Sequence, residues 1–124
     1  MNKKILVADD EPNIVISLEY LLKREGYTVL IARDGQEALE TITRERPALV
    51  LLDVMMPRKT GFEVCQAVRA NEDLQATKIL MLTAKGRETD MVKGTALGAD
   101  DYMTKPFSTR ELAEKVAKML GGSL

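Results

Sequence analysis

Leu49-Val50-Leu51-Leu52 is an apolar run with Pro47 just upstream, neither Gly nor Pro within it, and a carboxylate, Asp53, at its end. Such a run reads as a short strand buried on both faces, the pattern of an inner strand in a parallel sheet flanked by helices. Open parallel sheets bind ligands in the crevice beyond the carboxyl ends of their strands. Asp53 stands at that end, followed by Val54-Met55-Met56-Pro57 and then Gly61. Any chemistry in this chain is expected at Asp53.

The rest of the chain repeats the arrangement. Lys4 to Ala8 is a second short strand running into Asp9-Asp10-Glu11, and Pro12 opens a helix expected to reach about Glu25 before Gly26 stops it. Ile14, Val15, Leu18, Leu21 and Leu22 share one arc of that helix, its core face. Ile16 and Tyr20 fall on the far side, where packing on a neighbouring helix is the commoner reading and a partner-docking surface the alternative. Tyr27 to Ala32 is a strand rich in β-branched residues. Asp34 and Glu37 have the spacing of a capping box for a helix that ends at Arg46-Pro47. After the Asp53 strand, Thr60 and Glu63 repeat that spacing, with Phe62, Cys65, Val68 and Leu74 as the apolar stripe and Asn71-Glu72-Asp73 as a polar loop.

Lys78 to Leu82 is a fourth strand ending at Thr83-Ala84-Lys85-Gly86. The helix expected near 87–97 carries Gly94 inside it, at a cost of about 1 kcal/mol relative to Ala, and should be the least rigid. Ala99 to Thr104 holds a fifth strand that Lys105-Pro106 closes. Ser108 and Glu111 cap a last helix with Leu112, Val116, Met119 and Leu120 inward, and Gly121-Gly122 stop it. Strand and helix thus alternate throughout, which predicts an α/β doubly wound sheet in a single domain over 1–124, without linker, repeat or low-complexity segment.

Composition narrows the function. The chain has no histidine, which excludes histidine acid-base catalysis, histidine metal ligation and phosphorylation on its own histidine. Lys plus Arg number 18 against 19 Asp plus Glu, so net charge gives no reason to expect nucleic acid as a partner. No apolar run is long enough for a signal-peptide core or a membrane span. The lone Cys65 cannot form an internal disulfide and reads as a buried, inert thiol, which fits a reducing, cytoplasmic setting.

In a parallel sheet the ends of these strands converge, bringing Asp9 and Asp10, Asp53, Thr83 and Lys105 to one edge. Three neighbouring carboxylates repel one another unless a cation sits among them, and an oxygen-only set suits Mg²⁺ together with a phosphate oxygen. Taken singly, each residue has a plainer reading: Asp9-Asp10-Glu11 as acids before a helix N-terminus, Thr83 as a strand-end hydroxyl, Lys105 as a surface lysine and Tyr102 as core. Asp100-Asp101 reads as a turn and not as a metal site. It is the set in register that points to a magnesium-dependent phosphate site.

Val7-Ala8-Asp9-Asp10-Glu11, Leu51-Leu52-Asp53-Val54-Met55-Met56-Pro57 with Gly61, Leu82-Thr83-Ala84, and Gly98-Ala99-Asp100-Asp101-Tyr102-Met103-Thr104-Lys105-Pro106-Phe107 together resemble the CheY-like response-regulator receiver domain of two-component signalling, over essentially the whole chain. The resemblance implies a five-stranded parallel flavodoxin-like (βα)5 sheet in the order 2-1-3-4-5. It implies that Asp53 accepts a phosphoryl group from a phosphohistidine on a histidine kinase or phosphotransfer protein. Mg²⁺ would be held by Asp10, Asp53 and the Met55 backbone carbonyl, with Asp9 acting through water. Lys105 and Thr83 would contact the phosphoryl oxygens, as would the Ala84 backbone. Thr83 and Tyr102 would switch an output face made of the fourth helix, fifth strand and fifth helix, and the Lys105-Pro106 bond would be cis. Met55 and Lys85, at the two positions that tune phosphoryl lifetime in this family, imply a long-lived phosphoform.

The resemblance further implies a signalling domain that catalyses only its own phosphorylation and dephosphorylation, with no membrane or nucleic-acid contact of its own. The segment from Thr83 to Leu112 looks most like OmpR/PhoB-type receivers, which join a winged-helix DNA-binding domain and form homodimers through the output face. Met91 departs from that pattern, since a basic partner for Glu111 stands there in the subfamily. A degenerate receiver that works by binding alone is the alternative function. A haloacid-dehalogenase-type hydrolase would resemble Asp-x-Asp-x-Thr, and Met55 stands where its second acid belongs. A flavodoxin-type cofactor binder would need a Ser/Thr/Gly-rich first loop, which Asp9-Asp10-Glu11 is not.

Overall fold

The computed structural model describes residues 3–84 and 87–121. Strands β1 (Lys4–Ala8), β2 (Thr28–Ala32), β3 (Leu49–Asp53), β4 (Lys78–Ala84) and β5 (Asp101–Lys105) alternate with helices α1 (Pro12–Arg24), α2 (Gly35–Glu45), α3 (Gly61–Ala70), α4 (Glu88–Ala96) and α5 (Thr109–Met119). All four strand pairings are parallel, in the order β2-β1-β3-β4-β5. This is the doubly wound, flavodoxin-like sheet expected from the sequence. Four elements differ in detail: β2 begins one residue late at Thr28, β4 runs on through Thr83 and Ala84, β5 begins at Asp101 and takes in Lys105, and Asn71 caps a short 3₁₀ turn over Glu72–Leu74 where the sequence suggested a loop.

Successive side chains of a strand point to opposite faces, and here each face has its own helical layer. Leu6, Ala8, Val50, Leu52, Ile79 and Met81 pack with Ala38 and Ile42 of α2 and Val64, Cys65 and Val68 of α3. Ile5, Val7, Leu49, Leu51, Leu80 and Leu82 pack with Val15, Leu18 and Leu22 of α1 and Leu112 and Val116 of α5. Every residue of β3 is buried, which is why its sequence carries no polar alternation. Burying one such Leu contributes roughly 2–3 kcal/mol, so these strands hold the sheet edge in place by many small terms. Burial also pushes the Cys65 thiol above its ordinary value, in keeping with an inert core residue.

The helix ends follow their sequence signals. Thr60 and Glu63 form a reciprocal capping box on α3, and Ser108 caps α5 by accepting from the Glu111 N–H. On α2, Asp34 accepts from the Glu37 N–H, but the Glu37 carboxylate accepts from the N–H of Arg33, one residue before the cap, so the box is not closed. The expectation that Ile16 and Tyr20 pack on a neighbouring helix is not met. They are 62% and 68% exposed, on the face of α1 turned away from the core, and Arg24 leans over the Tyr20 ring, 5.9 Å from its centroid.

Helix α4 is held differently from the others: its buried residues are Asp90 and Gly94. Gly94 faces Met81, and a Cβ there would lie 3.4 Å from Met81 Cγ, within tolerance. Just beyond the helix, Gly98 has φ +105°, and a Cβ would fall 2.6 Å from Arg69 Cγ. Arg69 cannot easily give way, since its Nε donates to Gly98 O at 2.8 Å and its Nη2 to Asp100 Oδ2 at 2.7 Å. Gly94→Ala is therefore expected to stabilise the protein by up to about 1 kcal/mol through helix propensity. Gly98→Ala is expected to destabilise it by more than about 1 kcal/mol through strain in the left-handed region. Urea titrations of the two variants check this, and the same sign for both would contradict it.

Candidate functional site

Parallel pairing brings the strand ends into one row. Ala8 lies opposite Leu52, Asp53 opposite Leu82, Thr83 opposite Thr104 and Ala84 opposite Lys105. Asp9 continues β1 past its last paired residue, its N–H donating to Ala32 O. Carboxylate oxygens of Asp9, Asp10 and Asp53 consequently come within 4.8 Å of one another. Asp9 is fully buried, Asp53 is 7% exposed and Asp10 is exposed at the mouth.

Lys105 reaches back into this cluster. Its ammonium donates to Asp9 Oδ2 at 2.9 Å and lies 3.4 Å from Asp53 Oδ1. The other oxygen of Asp9 accepts from the Glu11 N–H at 2.9 Å. Asp9 is thus the main anchor of Lys105. Sequence reasoning did not find this pairing, because it joins residues 96 apart. The available signal was an acid following a strand buried on both faces, a place where a charge must find a partner.

Desolvation and the neighbouring charge of Asp9 raise the Asp53 carboxyl from its ordinary 3.8 to about 6, against the opposing pull of Lys105 and the Met55 N–H. For Lys105, burial works against the charged form, but the hydrogen bond to Asp9 and the charges of Asp53, Asp9 and Glu11 outweigh it and raise its pKa. The donor set is therefore oxygen-only, with three acids and one ammonium, and it carries more negative charge than the protein itself balances. That fits Mg²⁺, which takes one or two carboxylates, a carbonyl and water.

The remaining expected residues lie around this cluster. Thr83 is buried, and its hydroxyl donates to Met103 O at 3.4 Å, toward β5. Ala84 ends β4 at the surface. Met55 is 61% exposed at the start of the loop after β3, and Tyr102 is 42% exposed. Tyr102 lines a groove of about 510 Å³ with Pro106, Glu111 and Lys115. The Lys105-Pro106 bond is cis, as expected. Lys85 lies outside the described residues. The turn expected at Asp100-Asp101 is limited to Asp100, since Asp101 opens β5; Asp100 accepts from Arg69 and the Ile79 N–H, and Asp101 pairs with Lys115 at 2.9 Å. Among the described residues, no helix is long and apolar enough to cross a membrane.

The response regulator receiver domain is the family whose profile matches, over residues 5–117. Over 120 residues the chain is 54% identical to the alkaline phosphatase synthesis transcriptional regulatory protein PhoP of Bacillus subtilis, covering 97% of this chain and 49% of that protein. It thus spans about half the length of this relative. The chemotaxis response regulator CheY4 of Vibrio cholerae superposes with a TM-score of 0.90 at 34% identity, covering 96% of this chain and 99% of that one. The receiver domain of the sensor histidine kinase PA1611 of Pseudomonas aeruginosa, solved with a magnesium ion in its active-site cleft, superposes with a TM-score of 0.89 at 29% identity. That match covers 98% of this chain and all of the other.

The raised Asp53 pKa has a consequence for stability. Between about pH 4 and pH 6 the folded protein keeps a proton that the unfolded chain has released, so this carboxyl costs nothing below pH 4 and its penalty grows as pH rises to 6. At neutral pH the penalty is at most about 3 kcal/mol. Asp53→Asn is expected to raise the metal-free melting temperature at pH 7.5 by a few degrees, with the gain shrinking at pH 5. Mg²⁺ should raise the wild-type value and narrow the difference. Thermal unfolding at both pH values with and without Mg²⁺ checks this; a pH-independent difference would contradict it.

Proposed function

The chain belongs to the response-regulator receiver family, and from that premise we propose that it is a phosphoacceptor whose Asp53 takes a phosphoryl group from a phosphohistidine on a partner kinase or phosphotransfer protein. The observation that carries this is Asp53 itself: a buried carboxylate at a strand end, facing two further acids and an ammonium. With a pKa of about 6 it is mostly ionised at neutral pH and able to act as a nucleophile. One Asp53 oxygen attacks phosphorus, the new O–P bond forms as the P–N bond to the partner's imidazole breaks, and the imidazole leaves after taking up a proton. The donor must be another molecule, since this chain has no histidine.

Phosphoryl transfer is catalysed largely by positioning and by neutralising the equatorial oxygens. Asp10, Asp53 and the Met55 carbonyl, with Asp9 through water, would hold Mg²⁺, which would supply charge neutralisation there. Lys105 supplies the second positive charge, and its 3.4 Å approach to Asp53 puts it in reach of a group added there. To follow that group it loosens its bond to Asp9. Thr83 turns its hydroxyl from Met103 O toward the new phosphoryl oxygens, the Ala84 N–H donates to them, and Tyr102 moves inward into the space that Thr83 leaves. The added charge of about −2 and three acceptor oxygens give that rearrangement its driving force. The output is a change in the face formed by α4, β5 and α5, used for partner binding or for a homodimer. By analogy with PhoP, a transcriptional regulatory protein about twice its length, the chain is the receiver part of a longer transcriptional regulator.

Intact-mass analysis after incubation with acetyl phosphate tests the chemistry. One phosphoryl group is expected, requiring both Mg²⁺ and Asp53; no adduct would leave a degenerate receiver that works by binding alone. The exposed, apolar Met55 side chain hinders water, and the family resemblance assigns Lys85 the same effect on lifetime. Met55→Asn and Lys85→Ala are expected to shorten the phosphoform's life several-fold, measured by decay of the phosphorylated mass; an unchanged lifetime in both would refute the gating role.

A further inference from the structure

The loop from Val54 to Thr60 joins β3 to α3 and carries Met55. It is tied down near both ends: the Val54 N–H donates to Leu82 O at 3.2 Å and the Gly61 N–H to Val54 O at 2.8 Å. It is also held in the middle, by α2. The Gly35 N–H donates to Pro57 O at 3.1 Å, the Lys59 N–H closes back on the same carbonyl at 2.8 Å, and Arg58, at φ +70°, brings its guanidinium 3.7 Å from the Asp34 carboxylate that caps α2.

Gly35 opens α2 with an ordinary backbone, so conformation does not demand glycine there. Space does. A Cβ at Gly35 would lie 2.0 Å from Lys59 O and 2.6 Å from the Lys59 carbonyl carbon. Both are main-chain atoms, which no rotamer change can clear, so any side chain would displace the loop by well over an ångström. Pro57, the residue Gly35 holds, is two positions from Met55; Met56 between them is buried in the core, the Met55 N–H bonds to Asp53, and Val54 is tied at both its N–H and its carbonyl.

We propose that Gly35 is a positioning residue for the Mg²⁺ site: by letting the first turn of α2 touch the loop's main chain, it sets the direction of the Met55 carbonyl. This rests on the reading of that carbonyl as a Mg²⁺ ligand. Gly35 itself touches neither metal nor phosphoryl group. It acts through Pro57, in the way that outer partners orient the groups that bind a metal.

Calorimetric Mg²⁺ titration of the wild type, Gly35→Ala and Ile42→Val tests this, with melting temperatures measured alongside. Ile42 is fully buried on the same helix, and shortening it lowers stability without adding an atom near the loop. Gly35→Ala is expected to weaken Mg²⁺ binding at least about tenfold, while Ile42→Val keeps the wild-type affinity. Wild-type affinity in Gly35→Ala overturns this proposal alone, as does an equal loss in Ile42→Val. A wild type that does not bind Mg²⁺ overturns the receiver reading of the site and this proposal with it. Should Gly35→Ala fail to fold, amide exchange on the wild type decides. Coupling is reciprocal, so Mg²⁺ must raise protection of the Gly35 N–H, and unchanged protection overturns the proposal.

Discussion

The ion pair between Asp9 and Lys105 is the constraint on which the rest of this site depends. A carboxylate with no solvent contact is costly by several kcal/mol unless it is paired and hydrogen-bonded, and here the Lys105 ammonium and the Glu11 N–H meet both of its oxygens. That pairing fixes the end of β1 against the end of β5. It also divides one ammonium between two acids, leaving Asp53 at 3.4 Å with the weaker share. The result is a carboxylate that is ionised but poorly neutralised, a condition that favours an added cation beside it.

Such a cluster tolerates little movement, and the sheet supplies the rigidity. Because both faces of β1 and β3 are buried, a slip of one residue would exchange the contents of the two helical layers, so the register is strongly specified. The same register aligns Asp53 with Leu82 and Ala84 with Lys105, and so sets the distances across the site. Glycines complete the fit where the main chain must pass close. Gly61 lies against the Asp53 carbonyl, with no room for a Cβ, and Gly35 does the same for the carbonyl of Lys59.

Helix α4 stands apart from this rigid frame. Its last turn and the loop after it are fastened through Cys65, Arg69 and Asp100, which reach the carbonyls of Leu97 and Gly98 and the N–H of Ile79. Its first turn is held by the local pair of Arg87 and Asp90 and buries no apolar side chain. Moving that turn would forfeit less hydrophobic stabilisation than moving any other helix, while its far end stays anchored. The first turn of α4 can therefore shift without disturbing the core.

Alternation of apolar runs with capped amphipathic segments was enough to determine five strands, five helices and the edge at which Asp9, Asp10, Asp53, Thr83 and Lys105 would gather, because strand burial and helix periodicity are local properties of the chain. Strand order came from family resemblance, since periodicity says nothing about which strands are neighbours. Only the tertiary structure decided that Lys105 bonds chiefly to Asp9, that the Thr83 hydroxyl faces Met103, that Glu37 caps Arg33, and that Ile16 and Tyr20 meet solvent. The contact of Gly35 with Lys59 belongs with these. Each is a choice among partners distant in sequence, or between neighbouring caps of similar energy. Such choices are made by the packing of elements against one another, which no short stretch of sequence contains.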